Sequence, residues 1–138
     1  MAGSVLDEAG LAAWGAAFAR ELRPPVVVGF SGALGSGKTT LIRAIAAGLG
    51  VTTAVTSPTF ALVHRYDGAG CTVYHLDAYR LRRPEEARDL GLDDMLGEAD
   101  AVILIEWPER LGPALPALTH HLALAYAGGD ALRRLEVA

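Results

Sequence analysis

A glycine-rich octapeptide in the first third of the chain combines residue types that suit phosphate binding. It reads Gly32-Ala33-Leu34-Gly35-Ser36-Gly37-Lys38-Thr39 and matches the P-loop pattern G-x-x-x-x-G-K-[ST] in full. To wrap a phosphate with successive backbone N–H groups, the chain needs backbone angles that Gly35 and Gly37 adopt at little cost. A helix that follows such a loop adds the partial positive charge of its N-terminus. The octapeptide therefore predicts a phosphate-binding loop.

Two side chains at the end of this loop extend the chemistry to a nucleotide and its metal ion. The Lys38 ammonium can reach the β- and γ-phosphates, and the Thr39 hydroxyl can ligate Mg²⁺. A glycine-rich turn that merely precedes a helix is the alternative interpretation. The loop nevertheless has the required context, because a buried strand is predicted before it and a helix after it. We expect ATP and Mg²⁺ as the ligands.

A Mg-nucleotide site also needs an acid at the end of a nearby strand, and two segments supply one. Residues 101–106 form an aliphatic run that ends in Glu106, the form of a Walker B element, and residues 73–77 end in Asp77. Either carboxylate is suited to hold the metal, directly or through water, while the other orients the attacking water. A surface or capping acid is the alternative for each.

Histidines and arginines near these acids have simpler interpretations. His75 with Asp77, and the adjacent pair at positions 120–121, lack a third ligand in sequence, which favours ordinary strand histidines over a transition-metal site. The basic cluster of Arg80, Arg82 and Arg83 is typical of a solvated face.

The two tryptophans have different expected surroundings. Trp14 lies on an amphipathic pattern and is expected in the core, whereas Trp107 directly follows Glu106 and is expected beside the metal.

Hydrophobic periodicity predicts the elements that position these groups. The predicted helices cover residues 6–22, ended by Pro24-Pro25, and residues 38–49, and a further helix begins at Pro84. The predicted strands are 26–30, 60–66, 71–76, 101–105, 118–126 and 132–137. The expected fold class is α/β: a single P-loop NTPase domain over residues 1–138. Its mixed, largely parallel sheet is flanked by helices and carries a C-terminal antiparallel hairpin.

Composition narrows the classes of function. The net charge of −4 and a pI near 5.5 argue against unaided binding of nucleic acid. Lys38 is the only lysine, which excludes the Asn-Lys-x-Asp motif that reads guanine in Ras-type GTPases. A single cysteine, the absence of a signal-peptide pattern and short aliphatic runs predict a soluble, cytoplasmic protein with no membrane partner.

Four segments together resemble the TsaE (YjeE) family, bacterial ATPases needed to make threonylcarbamoyladenosine beside the anticodon of tRNAs. These are the P-loop through Thr40, Ser57-Pro58-Thr59-Phe60, Tyr74-His75-Leu76-Asp77-Ala78-Tyr79-Arg80-Leu81, and Ile105-Glu106-Trp107-Pro108. The second and third segments are specific to the family. One departure is Ala33, where the family often has Asp, so no side-chain role is expected there.

The resemblance implies a role for several positions. Phosphate and nucleotide binding fall to Gly32, Leu34, Gly35, Ser36, Gly37, Lys38, Thr39 and Thr40. Thr39 and Glu106 would hold Mg²⁺, and Asp77 would serve hydrolysis or the outer shell of the metal. Residues 57–60 would form a switch-like loop, and Arg133 or Arg134 would reach the nucleotide.

The implied function is that of an ATPase accessory to tRNA modification, slow when isolated. It would act on a threonylcarbamoyltransferase complex of two related subunits and meet tRNA only indirectly through that complex. A small-molecule kinase is one alternative, although little chain is left to build an arginine-bearing lid. A nucleotide-dependent binding module with incidental hydrolysis is the other alternative.

Overall fold

The structure is a computed structural model that describes residues 3–33, 35–53, 62–127 and 132–138. Its strands are β1 (Gly3–Leu6), β2 (Val26–Ser31), β3 (Val63–Asp67), β4 (Thr72–Asp77), β5 (Ala101–Glu106), β6 (His120–Tyr126) and β7 (Arg133–Val137). The α-helices are α1 (Glu8–Glu21), α2 (Lys38–Gly48) and α3 (Leu92–Leu96). Short 3₁₀ helices cover Ala78–Arg80, Pro84–Leu90 and Pro108–Ala114. None of the helices described is long and apolar enough to cross a membrane.

All seven strands form one sheet in the order β1-β7-β6-β2-β5-β4-β3. The four central strands β6, β2, β5 and β4 are mutually parallel, whereas β7 and β3 run antiparallel to their neighbours. The predicted mixed, largely parallel sheet and its closing hairpin, β6–β7, are therefore confirmed.

The sheet buries both faces, which explains why its central strands are continuously apolar. Every residue of β5 is buried. Its Val102 and Leu104 pack in one core with α1 and α2, and its Ile103 and Ile105 pack in a second core with α3 and the 3₁₀ helices. The result is a three-layer α/β arrangement.

The first helix begins later than predicted, because the chain uses its first described residues as a strand. Leu6 belongs to β1 and pairs with Arg133 of β7. Asp7 then caps α1, and its carboxylate accepts a 2.7 Å hydrogen bond from the Gly10 amide. Trp14 is partly buried against the core and stacks on Phe18, as expected.

Three other element predictions need adjustment. The segment that begins at Pro84 is a 3₁₀ helix and not an α-helix, with proline in its first turn as predicted. The first strand of the central hairpin is shorter than predicted, and residue 60, where it was predicted to begin, lies outside the described residues. The last hairpin starts at His120, two residues after the predicted start.

Candidate functional site

Strand order brings the loop and both predicted acids to one edge of the sheet. In the parallel pairing of β2 with β5, Phe30 lies opposite Glu106, and in the pairing of β5 with β4, Glu106 lies opposite Asp77. Because the carboxyl ends of parallel strands meet at the same edge, the loop after β2 opens beside both carboxylates.

A cleft of about 590 Å³ lies at this edge. Its lining residues are Gly35, Gly37, Lys38, Thr39, Thr40, Asp77, Tyr79, Arg80, Glu106 and Arg133. Most of the predicted site residues are thus brought together in one concave surface. Arg80 also lines the cleft and lies 3.5 Å from Asp77, and like Arg82 and Arg83 it is exposed, as expected of a solvated face.

Two predicted nucleotide ligands, Gly32 and Ser36, belong to the loop but are not among the residues that line the cleft. The Ser36 side chain is fully buried, and a β-carbon at Gly32 would come within 2.5 Å of the Leu124 carbonyl oxygen. Gly32 is therefore needed for close approach of the loop to β6, a reason that the spacing alone does not reveal. Leu34, also predicted as a ligand, lies outside the described residues.

Lys38 occupies the centre of the site and is only 5% exposed. Its ammonium donates to the carbonyl oxygens of Gly32 and Ala33, the latter at 3.0 Å. Burial lowers the pKa of Lys38, and the charges of nearby carboxylates, Glu106 first, oppose that shift. The cleft thus holds one partly desolvated cation that can exchange its carbonyl partners for phosphate oxygens.

The two strand-end acids have different surroundings. Glu106 is 5% exposed and accepts a 2.6 Å hydrogen bond from His75 Nε2, whereas Asp77 is half-buried and caps the 3₁₀ helix that follows it. Burial, followed by the neighbouring Glu106, raises the pKa of Asp77 above its usual range. Because the charge of Glu106 disfavours the ionised form of Asp77, a cation bound in the cleft would relieve this repulsion.

The oxygen-bearing side chains in this part of the cleft suit Mg²⁺. Thr39 supplies a hydroxyl and Asp77 and Glu106 supply carboxylates to the same cleft. Mg²⁺ is usually held by one or two carboxylates together with substrate phosphates. Within the described ranges, no group of three or more His, Cys, Asp or Glu residues is placed to hold a metal ion, and His75 lies within β4.

Trp107 contacts two residues that line the cleft and has an unusual backbone conformation. It is the one non-glycine residue with positive φ, at 57°, among those described. Its ring lies 4.4 Å from Lys38 Nζ and 4.9 Å from the Tyr79 ring. A bulky side chain held in the left-handed region costs about 1–3 kcal/mol, which is typical of functional sites. Trp107 thus contacts two residues that line the cleft, and its place beside a metal ion stays a prediction.

The C-terminal hairpin, β6–β7, forms hydrogen bonds to the phosphate-binding loop that the sequence did not indicate. Arg133 Nη2 and the Tyr126 hydroxyl both donate to the Gly35 carbonyl oxygen, at 3.3 and 2.9 Å. Arg133 also lies over the Tyr126 ring at 4.4 Å. Of the two arginines suggested to reach the nucleotide, Arg133 is the one that lines the cleft.

A second cavity, of about 360 Å³, adjoins the cleft. It shares Gly37, Thr40 and Arg133 with the cleft and continues to the start of α1, where its lining residues are Asp7, Glu8, Ala9 and Leu11. None of these residues at the start of α1 was predicted to belong to the site.

The loop, the parallel sheet and the two strand-end acids define the class of P-loop NTPase folds. A family model described as threonylcarbamoyl adenosine biosynthesis protein TsaE matches residues 5–135. The chain belongs to the TsaE family, as the four sequence segments implied.

Individual relatives support this assignment. The chain is 39% identical to the tRNA threonylcarbamoyladenosine biosynthesis protein TsaE of Treponema pallidum, over 92% of both chains. It is 49% identical to the TsaE protein of Streptomyces coelicolor, over 84% of this chain and 79% of the relative. The crystal structure of Bacillus subtilis YdiB superposes with a TM-score of 0.81 at 28% identity, over 97% of this chain and 82% of that one.

Proposed function

We propose that this chain binds Mg-ATP in the cleft and hydrolyses it as an accessory to threonylcarbamoyladenosine formation on tRNA. The observation that carries the proposal is the meeting of Lys38, Glu106 and Asp77 in one cleft at the carboxyl edge of the sheet. The names of the relatives support the pathway, and the P-loop supports the nucleotide.

Each side chain has a part in this reaction. Lys38 would pair with the β- and γ-phosphates, and Arg133 would add a second positive charge from β7. Thr39 and Glu106 would hold Mg²⁺, which supplies charge neutralisation on the phosphates when bound. Asp77 would orient the attacking water, because it lies opposite Glu106 in the strand register and opens to the same cleft.

The second cavity offers a place for the rest of the nucleotide. It continues from Thr40 and Arg133 toward Ala9 and Leu11, which give it an apolar wall, and Asp7 and Glu8 give it acceptors. A base with an exocyclic amino group would suit such a surface. Adenine would present such a group there, and because guanine also carries an exocyclic amino group, this surface supports ATP over GTP only modestly.

The partner of this reaction would be a threonylcarbamoyltransferase complex of two related subunits in the cytoplasm. Because the net charge is −4, tRNA would be met only through that complex. Bound ATP would favour association of this chain with the complex. In other P-loop proteins a γ-phosphate orders nearby loops, and the ordered loops present a defined surface to a partner.

Turnover with and without the purified transferase complex tests the proposal. We expect Mg-dependent release of phosphate by the wild-type chain, stimulated by the complex, and its near loss in Glu106→Gln, which keeps the shape and removes the charge. Transfer of phosphate to an added nucleoside or metabolite would instead identify a kinase. Capture of the complex with no ATP turnover under any condition would identify a binding module.

A further inference from the structure

The buried contact between His75 and Glu106 joins two strands at the floor of the cleft. The His75 ring is 1% exposed, and its Nε2 lies 2.6 Å from Glu106 Oε2. A carboxylate that holds Mg²⁺ must be ionised and then only accepts hydrogen bonds, so the proposed metal site assigns the shared hydrogen to His75 Nε2. In a site shielded from water, such a hydrogen bond strongly restricts both side chains.

Glu106 needs this restriction because a competing partner lies close by. Lys38 is near enough for the Glu106 charge to act on its pKa. A direct ion pair between them would neutralise the cation needed for phosphate and the anion needed for Mg²⁺. None of the ion pairs among the described residues joins the two, and Lys38 donates to loop carbonyls instead.

We infer, on the basis of the function proposed above, that His75 is a positioning residue that holds Glu106 ready for Mg²⁺. It donates to Oε2, keeps the carboxylate away from Lys38 and leaves Oε1 available to the metal. His75 is not itself a metal ligand, since Nε2 is engaged and Mg²⁺ prefers oxygen donors. Partners that orient a metal ligand in this way typically contribute 10- to 100-fold to metal affinity.

Two substitutions separate this role from simple core packing. His75→Ala removes the donor and the ring, whereas His75→Gln keeps an amide donor at a similar distance from the backbone. His64→Ala is the matched control, because His64 lies directly opposite His75 on the neighbouring strand but bonds to Tyr66. The thermal unfolding midpoint of each variant monitors folding.

The measurement is the affinity of a fluorescent ATP analogue, first in EDTA and then across a Mg²⁺ titration. In His75→Ala we expect unchanged affinity for the ATP analogue in EDTA. The Mg²⁺ concentration at which half of the metal-dependent increase in affinity is reached should rise about 10- to 100-fold. His75→Gln should recover most of that loss, and His64→Ala should match the wild type.

An unchanged Mg²⁺ requirement in His75→Ala overturns the inference. The inference is also overturned if His75→Ala loses as much affinity for the ATP analogue in EDTA as it does in Mg²⁺. A Mg²⁺ requirement that rises as much in His75→Gln as in His75→Ala overturns it too, because either result identifies a packing role. Since binding and not hydrolysis is measured, a wild-type chain that binds Mg-ATP without hydrolysing it would refute the proposed ATPase function and still decide the role of His75.

Discussion

The Tyr126 hydroxyl donates a 2.9 Å hydrogen bond to the Gly35 carbonyl oxygen and so ties the C-terminal hairpin to the phosphate-binding loop. Gly35 has a φ of 77°, which glycine adopts at little cost, but glycine adopts other backbone conformations just as readily. The hydrogen bond from Tyr126 therefore helps to fix this one. Tyr126 follows the loop by 91 residues, so the tether is a product of the fold.

Tyr126→Phe should weaken nucleotide binding while leaving the fold intact. The variant loses one hydrogen bond, worth about 1 kcal/mol, and keeps the ring under Arg133. We expect the dissociation constant of a fluorescent ATP analogue to rise about fivefold. Tyr66→Phe, in which the lost hydroxyl lies on β3 beside His64, is the control and should bind normally. Equal affinity in both variants would mean that the loop needs no tether.

Arg133→Gln and Arg134→Gln should differ sharply, because adjacent residues of a strand point to opposite faces. Arg133 lines the cleft, whereas Arg134 is exposed on the other side of β7. We expect roughly a tenfold or greater loss of ATP affinity for Arg133→Gln, since a charge-assisted contact is worth about 1.5–3 kcal/mol. Arg134→Gln should stay within about twofold. Titration calorimetry can measure both, and the reverse ranking would contradict the assignment.

Lys38→Met should abolish nucleotide binding without lowering the stability of the nucleotide-free protein. Burial lowers the pKa of Lys38, so below this lowered pKa the folded state holds an ammonium charge that costs it stability relative to the unfolded chain. Removal of this ammonium therefore relieves a cost, while ATP loses its central cation. We expect an unfolding midpoint at pH 7 equal to or above that of the wild type. A lower midpoint would show that the carbonyl and Trp107 contacts of Lys38 outweigh its desolvation.

Asp77→Asn should stop hydrolysis and stabilise the Mg-free protein. The folded-state pKa of Asp77 is raised, so the folded state binds this proton more tightly than the unfolded state does. The ionised group therefore costs stability above the raised pKa, and the cost fades as the pH falls through that value. In EDTA, we expect the variant to unfold at a higher temperature near pH 7 and to match the wild type in strong acid.

Hydrolysis by the same Asp77→Asn variant should fall by about 100-fold or more, since a positioned base contributes about that much. Normal turnover would exclude Asp77 from the reaction.

Arg82→Glu with Arg83→Glu should reduce capture of the transferase complex and leave ATP binding unchanged. Both side chains are exposed and neither lines the cleft, in contrast to Arg80, which lies 3.5 Å from Asp77. Arg80→Glu is therefore expected to impair ATP binding as well. Pull-downs with ATP, ADP and a non-hydrolysable analogue measure capture. If the wild type and the double variant capture equal amounts of the complex with each nucleotide, the complex binds a surface other than Arg82 and Arg83.

Local sequence was sufficient to predict the elements whose signals are contained within a few residues. The apolar runs of β2 and β5 and the helix after the loop were located to within a residue or two, because burial on both faces leaves an unbroken apolar pattern. By contrast, β1 was not predicted and its last residue, Leu6, was placed in the helix, since four residues stabilised by pairing with the last strand carry little local signal.

The types and spacing of residues 32–39, Glu106 and Asp77 by themselves predicted the loop and the proposed nucleotide chemistry, and the four family segments predicted the family, because each depends on short motifs. Only the tertiary structure decided which groups share the cleft and what holds them. The insertion of β5 between β2 and β4 places Glu106 between the loop and Asp77. The contacts of His75 with Glu106 and of Tyr126 with Gly35 span 31 and 91 residues. They follow from strand order and register, which are set by packing of the whole sheet and not by any local pattern.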